Sequence, residues 1–228
     1  MLGYYYDPTW LLLIPAILLT IWAQAKVHST YRKYERVRSQ AGAPAYQMAR
    51  QMLAMNGLND VRVEQVKGNL TDHYDPRTKT LRLSEAIYGS SSVAALGIAA
   101  HECGHAIQDQ EGYGPLKIRG ALVPVANFSS SLSWILILIG IVLGFYNLIG
   151  LGIILFAAVV LFQLVTLPVE FNASRRALAT LEGAGFLTVD EVPQARKVLS
   201  AASLTYVAAA LTAVLQLLRL VLLFGRRD

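Results

Sequence analysis

With 228 residues, 54% of them hydrophobic, and a mean hydropathy of +0.43, the chain is too apolar for a soluble globule and is expected to span a membrane. Its single cysteine, Cys103, excludes an internal disulfide and fits a reducing compartment. The net charge of +5 and pI near 9.4 do not point to nucleic acid, because the basic residues gather beside a span rather than along a separate face.

The first apolar run, Trp10 to Ala25, has no basic stretch before it and no convincing small-x-small cleavage site ahead of the charged segment, so residues 1–25 read as a retained anchor rather than a signal peptide. Lys26, Arg32, Lys33, Arg36 and Arg38 follow against Glu35 alone. The positive-inside rule then puts the N-terminus outside and residue 26 onward in the cytoplasm. Such a basic cuff also offers a partner to anionic lipid.

Residues 39–119 are polar. In "AYQMARQMLAMNGL", Met48, Met52, Leu53 and Met55 fall at helical spacing, and Gly57 is a natural stop. "VRVEQV" (61–66) and "TKTLRLS" (78–84) alternate like half-buried strands and predict an antiparallel pair. "VAALGIAAHECGHAIQDQ" reads as a helix capped by Ser90 or a neighbouring serine and closed around Gly112.

On that helix His101 and His105 are four residues apart, so their imidazoles meet at one point, a pattern suited to zinc. Glu102 stands beside them, where it can take a proton from a water on the metal. Cys103 is about 200° round the helix from His101 and is expected in the core.

Gly120 to Val169 contains no Lys, Arg, Asp or Glu, fifty residues that fit two spans, 123–145 and 148–168, turning near "FYNLIG". A catalytic zinc site takes three protein ligands, and the further donors are His28, His73, Asp109, Glu111, Glu170, Glu182, Asp190, Glu191 and Asp228. Glu170 ends the uncharged run, and Pro168 before it can open a helix. A carboxylate at a membrane border is costly unless hydrated, paired or on a metal. A hydrated Glu170 near Arg175 is one reading; the other is a zinc ligand, favoured because two intervening spans return the chain to the side that holds His105. A fourth span over 198–224 is weaker, being Ala-rich and interrupted by Arg219. The expected fold is therefore a mainly α membrane protein of three to four transmembrane helices. Segments 26–119 and 170–197 would join into a small α+β domain, the second carrying Glu170 on its own helix.

The stretches "YYDPTWLLLIPAILL", "TDHYDPRTKTLRLSE", "AAHECGHAIQD", "YGPLKIR" and "LPVEFNASRRAL" resemble the YugP-type family of bacterial membrane zinc metallopeptidases over nearly the whole chain. More distantly the arrangement is similar to HtpX and the CAAX prenyl proteases, gluzincins whose HExxH is followed across spans by a zinc-binding Glu. The resemblance implies a gluzincin-like domain, His101, His105 and Glu170 as zinc ligands, and Glu102 as general base. In the HtpX-like pattern an Asp four residues after the ligand Glu supports a histidine; here that place is Ser174, a weaker acceptor. In the YugP-type pattern an Asp often occupies the place of Asn172.

These readings converge on a multi-pass protein of the bacterial cytoplasmic membrane, a zinc endopeptidase with one zinc per chain and its site facing the cytoplasm. Its partners would be a peptide or protein substrate and the bilayer. Strand 78–84 would offer an edge to an extended peptide, with His73, Tyr74 and Arg175 as candidate oxyanion or substrate groups. Two alternatives come from other classes. A site-2-type intramembrane protease places the motif inside a span and uses an Asp-Gly element, and no Asp-Gly occurs in this chain. A non-catalytic, zinc-stabilised scaffold would keep its function without Glu102.

Overall fold

The computed structural model describes residues 7–225. The first six residues of the expected anchor and Asp228 lie outside them. Along the chain run a 3-10 turn (Pro8–Leu13) and α1 (Ile14–Tyr34), then α2 (Ala45–Met55), β1 (Arg62–Val66), β2 (His73–Asp75) and β3 (Thr80–Ser84). A short α3 (Glu85–Tyr88) leads to α4 (Val93–Gln110), α5 (Gly114–Leu143), α6 (Tyr146–Gly183) and α7 (Val192–Phe224). Four helices among the described residues are long and apolar enough to cross a membrane: Pro8–Tyr34, Gly114–Leu143, Tyr146–Gly183 and Val192–Phe224. The protein is thus mainly helical with one small sheet.

Two compact units are formed. The first comprises Met1–Trp22, Ile118–Leu167 and Thr205–Asp228. Its core is Ile137, Phe156, Val160, Ala213 and Leu220, and Trp134 meets Phe156 edge-on at 5.9 Å. Large apolar side chains such as Leu138, Val142, Ile154 and Leu161 point outward, as helices solvated by lipid allow. α5 turns into α6 at Gly144 (φ +69°), and small residues let these two helices meet closely. A Cβ on Gly140 would stand 2.6 Å from the Ile149 side chain, and one on Gly152 would stand 2.8 Å from the Ser133 carbonyl oxygen. Arg219 does not end the last helix. Its guanidinium donates to Asp7 Oδ2 at 2.6 Å and to Thr9 Oγ1 at 3.3 Å, so the charge that interrupts the apolar run is paired.

The second unit comprises Ala23–Lys117 and Pro168–Leu204. Its core gathers Met48, Met52 and Leu53 from α2, Leu81 and Leu83 from β3, Leu96, Ala99 and Cys103 from α4, and Ala177 and Leu181 from α6. Met55, expected on the packed face of α2, is exposed; the helix ends there, and Gly57 (φ +75°) takes the chain away. Ser92 caps α4, its Oγ accepting from the Ala95 N–H at 3.2 Å.

The sheet differs from the expected antiparallel pair. β1 and β3 are parallel, Val63 beside Leu81, and β2 is antiparallel to β3, Tyr74 beside Leu81, giving the order β1-β3-β2. The strand expected to offer an edge is the central one, paired on both sides. Three residues of β2, "HYD", are too short to show alternation, yet they occupy that edge. A second difference concerns Pro168. It lies inside α6 and starts no new helix, so Glu170 stands in the interior of a continuous 38-residue helix. Proline removes one N–H from the ladder but leaves the backbone on either side helical, a situation apolar helices tolerate.

Candidate metal centre

α4 and α6 carry the site, and both relevant stretches belong to the second unit. A Cβ on Gly104 would stand 2.6 Å from the Ala173 carbonyl oxygen, so only glycine permits this separation. One turn further along α4 and one turn back along α6, Gln108 Nε2 donates to the Val169 carbonyl at 2.9 Å. The helices therefore run antiparallel here, and His101, one turn before His105, faces Glu170.

His101 Nε2 is 3.2 Å and His105 Nε2 3.6 Å from the same oxygen, Glu170 Oε2. Each of the three residues offers one ligand atom, all within 4.8 Å of one another, an arrangement that could hold a metal ion. Glu170 and His105 are buried, and His101 is partly covered. A fully buried carboxylate far from solvent needs cationic or donor company, which this trio provides.

The other ring nitrogens are engaged. His101 Nδ1 meets Ser174 Oγ at 3.1 Å. His105 Nδ1 is 3.0 Å from Gln108 Oε1, and the orientation of that amide is fixed because its Nε2 donates both to Val169 O and, at 2.9 Å, to Asn172 Oδ1. His105 Nδ1 accordingly carries a proton. With Nδ1 occupied on both rings, Nε2 is the nitrogen each presents to a cation. Two imidazole nitrogens and a carboxylate oxygen are a donor set that zinc accepts, so the residues fit the metal expected from the motif.

Asn172 hydrogen-bonds to Gln108 and Arg176 rather than to either histidine. Its Oδ1 accepts from Gln108 and, at 2.7 Å, from Arg176 Nε, while Arg176 grips Glu111 through Nη1 at 2.8 Å and Nη2 at 2.6 Å. It acts on His105 through Gln108. Gln108 itself was not foreseen from the sequence, although it lies three residues after His105 and so on the same face of the helix.

Glu102 is buried, and its Oε2 accepts from the Tyr74 backbone N–H at 3.1 Å. The Tyr74 hydroxyl donates to Asp109 Oδ2 at 3.0 Å. These two bonds tie β2 to α4. Asp72, just before β2, accepts from the Ser84 N–H at 2.7 Å and from its hydroxyl. Burial raises the Asp72 pKa against those bonds, and the nearby Glu102 charge adds to the rise. Tyr74 is raised as well, by burial and then by Asp109. For His105 burial favours the neutral ring, but Glu170, Glu102 and Gln108 together outweigh it and the net shift is upward. Cys103 is buried on the far side of α4, 3.7 Å from the Ala49 carbonyl, and burial pushes its thiol well up; it has neither the place nor the ionisation for a ligand.

Of the remaining candidates, His73 is exposed and its Nδ1–H donates to Thr71 O at 2.8 Å, and Arg175 is exposed on α6. Neither takes part in the hydrogen bonds of the cluster.

The family model described as "Putative neutral zinc metallopeptidase" matches residues 9–225. The chain is also 52% identical over 213 residues to "Putative membrane protease YugP" of Bacillus subtilis (strain 168), covering 93% of this chain and 95% of that protein. No solved structure matches it.

Proposed function

We propose that this chain, which belongs to the zinc metallopeptidase family whose model spans it, is a membrane-anchored endopeptidase in which His101, His105 and Glu170 hold zinc and Glu102 is the general base. The observation that carries this reading is the convergence of both Nε2 atoms on Glu170 Oε2, with the carboxylate of the adjacent Glu102 buried close by. Zinc bound there would supply a Lewis acid that acidifies water and polarises a peptide carbonyl.

The chain's own groups supply the rest. The Tyr74 N–H holds Glu102 Oε2, which fixes the carboxylate and leaves Oε1 to take the proton of the attacking water and pass it to the leaving amine. Ser174 and Gln108 orient the two rings through Nδ1. α4 packs beside the sheet in a core of its own, which favours an anchored enzyme over an intramembrane one. The basic residues after the first span support a site that faces the cytoplasm.

The test is metal analysis and proteolysis on the purified full-length protein. Glu170→Gln is expected to lose zinc, and Glu102→Gln to keep zinc while losing peptide hydrolysis. Unchanged zinc in the first variant would remove Glu170 from the ligand set. Full cellular function in the second would favour a scaffold over an enzyme.

A further inference from the structure

The second unit contains a groove of about 720 Å³ between the end of α1 and the start of α7, separate from the metal centre. Lys26, Ser29 and Lys33 line it from α1, and Arg196, Lys197 and Ser200 from α7. No carboxylate is among the described residues that line it. The spacings 26, 29 and 33, and 196 and 200, each put these side chains on one face of their helix.

We propose that this groove binds the headgroup of an anionic phospholipid. Four cations and four hydroxyl-bearing side chains line one concave space, which suits a phosphodiester that accepts several hydrogen bonds and carries negative charge. Residues that only set topology need to flank a span; they need not share a groove. The two helices also choose between lipid and free phosphate. From Lys33 back to Lys26, α1 approaches its apolar run, and from Arg196 on to Ala201 and Leu204, α7 enters its own, both being candidate membrane spans. The groove therefore grades from cationic to apolar, as the head and acyl chains of a lipid do. Inorganic phosphate would use only the cationic half.

The experiment titrates the full-length protein in detergent with phosphatidylglycerol or phosphatidylcholine and counts retained lipid by native mass spectrometry. Phosphatidylglycerol is expected to bind about tenfold tighter or more. That preference should vanish in K33Q/R196Q/K197Q and persist in R32Q/R36Q/R77Q, which removes the same charge outside the groove. Ala201→Phe, which fills the groove without changing charge, should also release the lipid, and it keeps the test open if the triple variant fails to fold. Equal binding of the two lipids, equal loss in both triple variants, or unchanged binding in Ala201→Phe would each overturn the proposal. Displacement of the lipid by millimolar phosphate would assign the groove to a free anion and overturn it too.

Discussion

Two helix contacts in this protein use the same steric device for different ends. In the first unit Gly140 and Gly152 let α5 and α6 approach, and what they bring together is Ile137, Ile149 and Ser133, mostly hydrocarbon. In the second unit Gly104 lets α4 approach α6, and what meets is two imidazoles, two carboxamides, a carboxylate and a hydroxyl, all hydrogen-bonded. A loosened contact in the apolar pair loses dispersion energy by degrees. In the polar pair the same loosening strands buried donors and acceptors, so its tolerance is narrower.

The largest effect expected on this contrast is chemical. Glu102→Gln should lower kcat by about 10²–10⁴ with zinc retained, since only proton transfer is removed; a loss below tenfold would take Glu102 out of the reaction. Next is Gly104→Ala, whose Cβ meets backbone and cannot be accommodated by a rotamer change. It should cost about 1–3 kcal/mol of stability and weaken zinc binding, whereas Gly152→Ala should cost stability by a similar amount and leave zinc untouched. Matched zinc losses in the two variants, read by metal titration beside thermal unfolding, would break the distinction between the contacts.

Gln108→Leu keeps the volume but frees the His105 ring and is expected to weaken zinc about 10–100-fold. Ser174→Ala removes one neutral hydrogen bond from a less buried ring and should cost about 1 kcal/mol, roughly fivefold in zinc affinity. Ser174→Asp sharpens the point, because a charged acceptor at the same place should bind zinc tighter than the natural serine. If Ser174→Ala proves costlier than Gln108→Leu, the ranking of the two rings by burial is wrong.

The apolar helices were legible because hydropathy over about 20 residues is a strong signal. Their ends were less so. Pro168 reads locally as a helix start, yet α6 runs through it, since nothing in a short window reports that the flanking backbone stays helical. The alternation of 61–66 and 78–84 marked two strands but not their partners; the parallel pairing follows from β2, whose three residues carry no periodic signal. At the candidate metal centre the i, i+4 histidines were plain, and span counting singled out Glu170, which the structure places beside them. Gln108 was missed because a glutamine in a helix has no distinctive chemistry until its three hydrogen-bond partners, two of them more than sixty residues away, are seen.

The bond from the Tyr74 N–H to Glu102 has one more consequence, for self-association. A strand at the margin of a sheet exposes unpaired amides that invite another copy to add on. β2 is only three residues long, and the outward N–H at its centre is already committed to a buried carboxylate. The hydrogen bond that steadies the proposed base therefore also blunts the β2 margin of the sheet against edge-to-edge pairing.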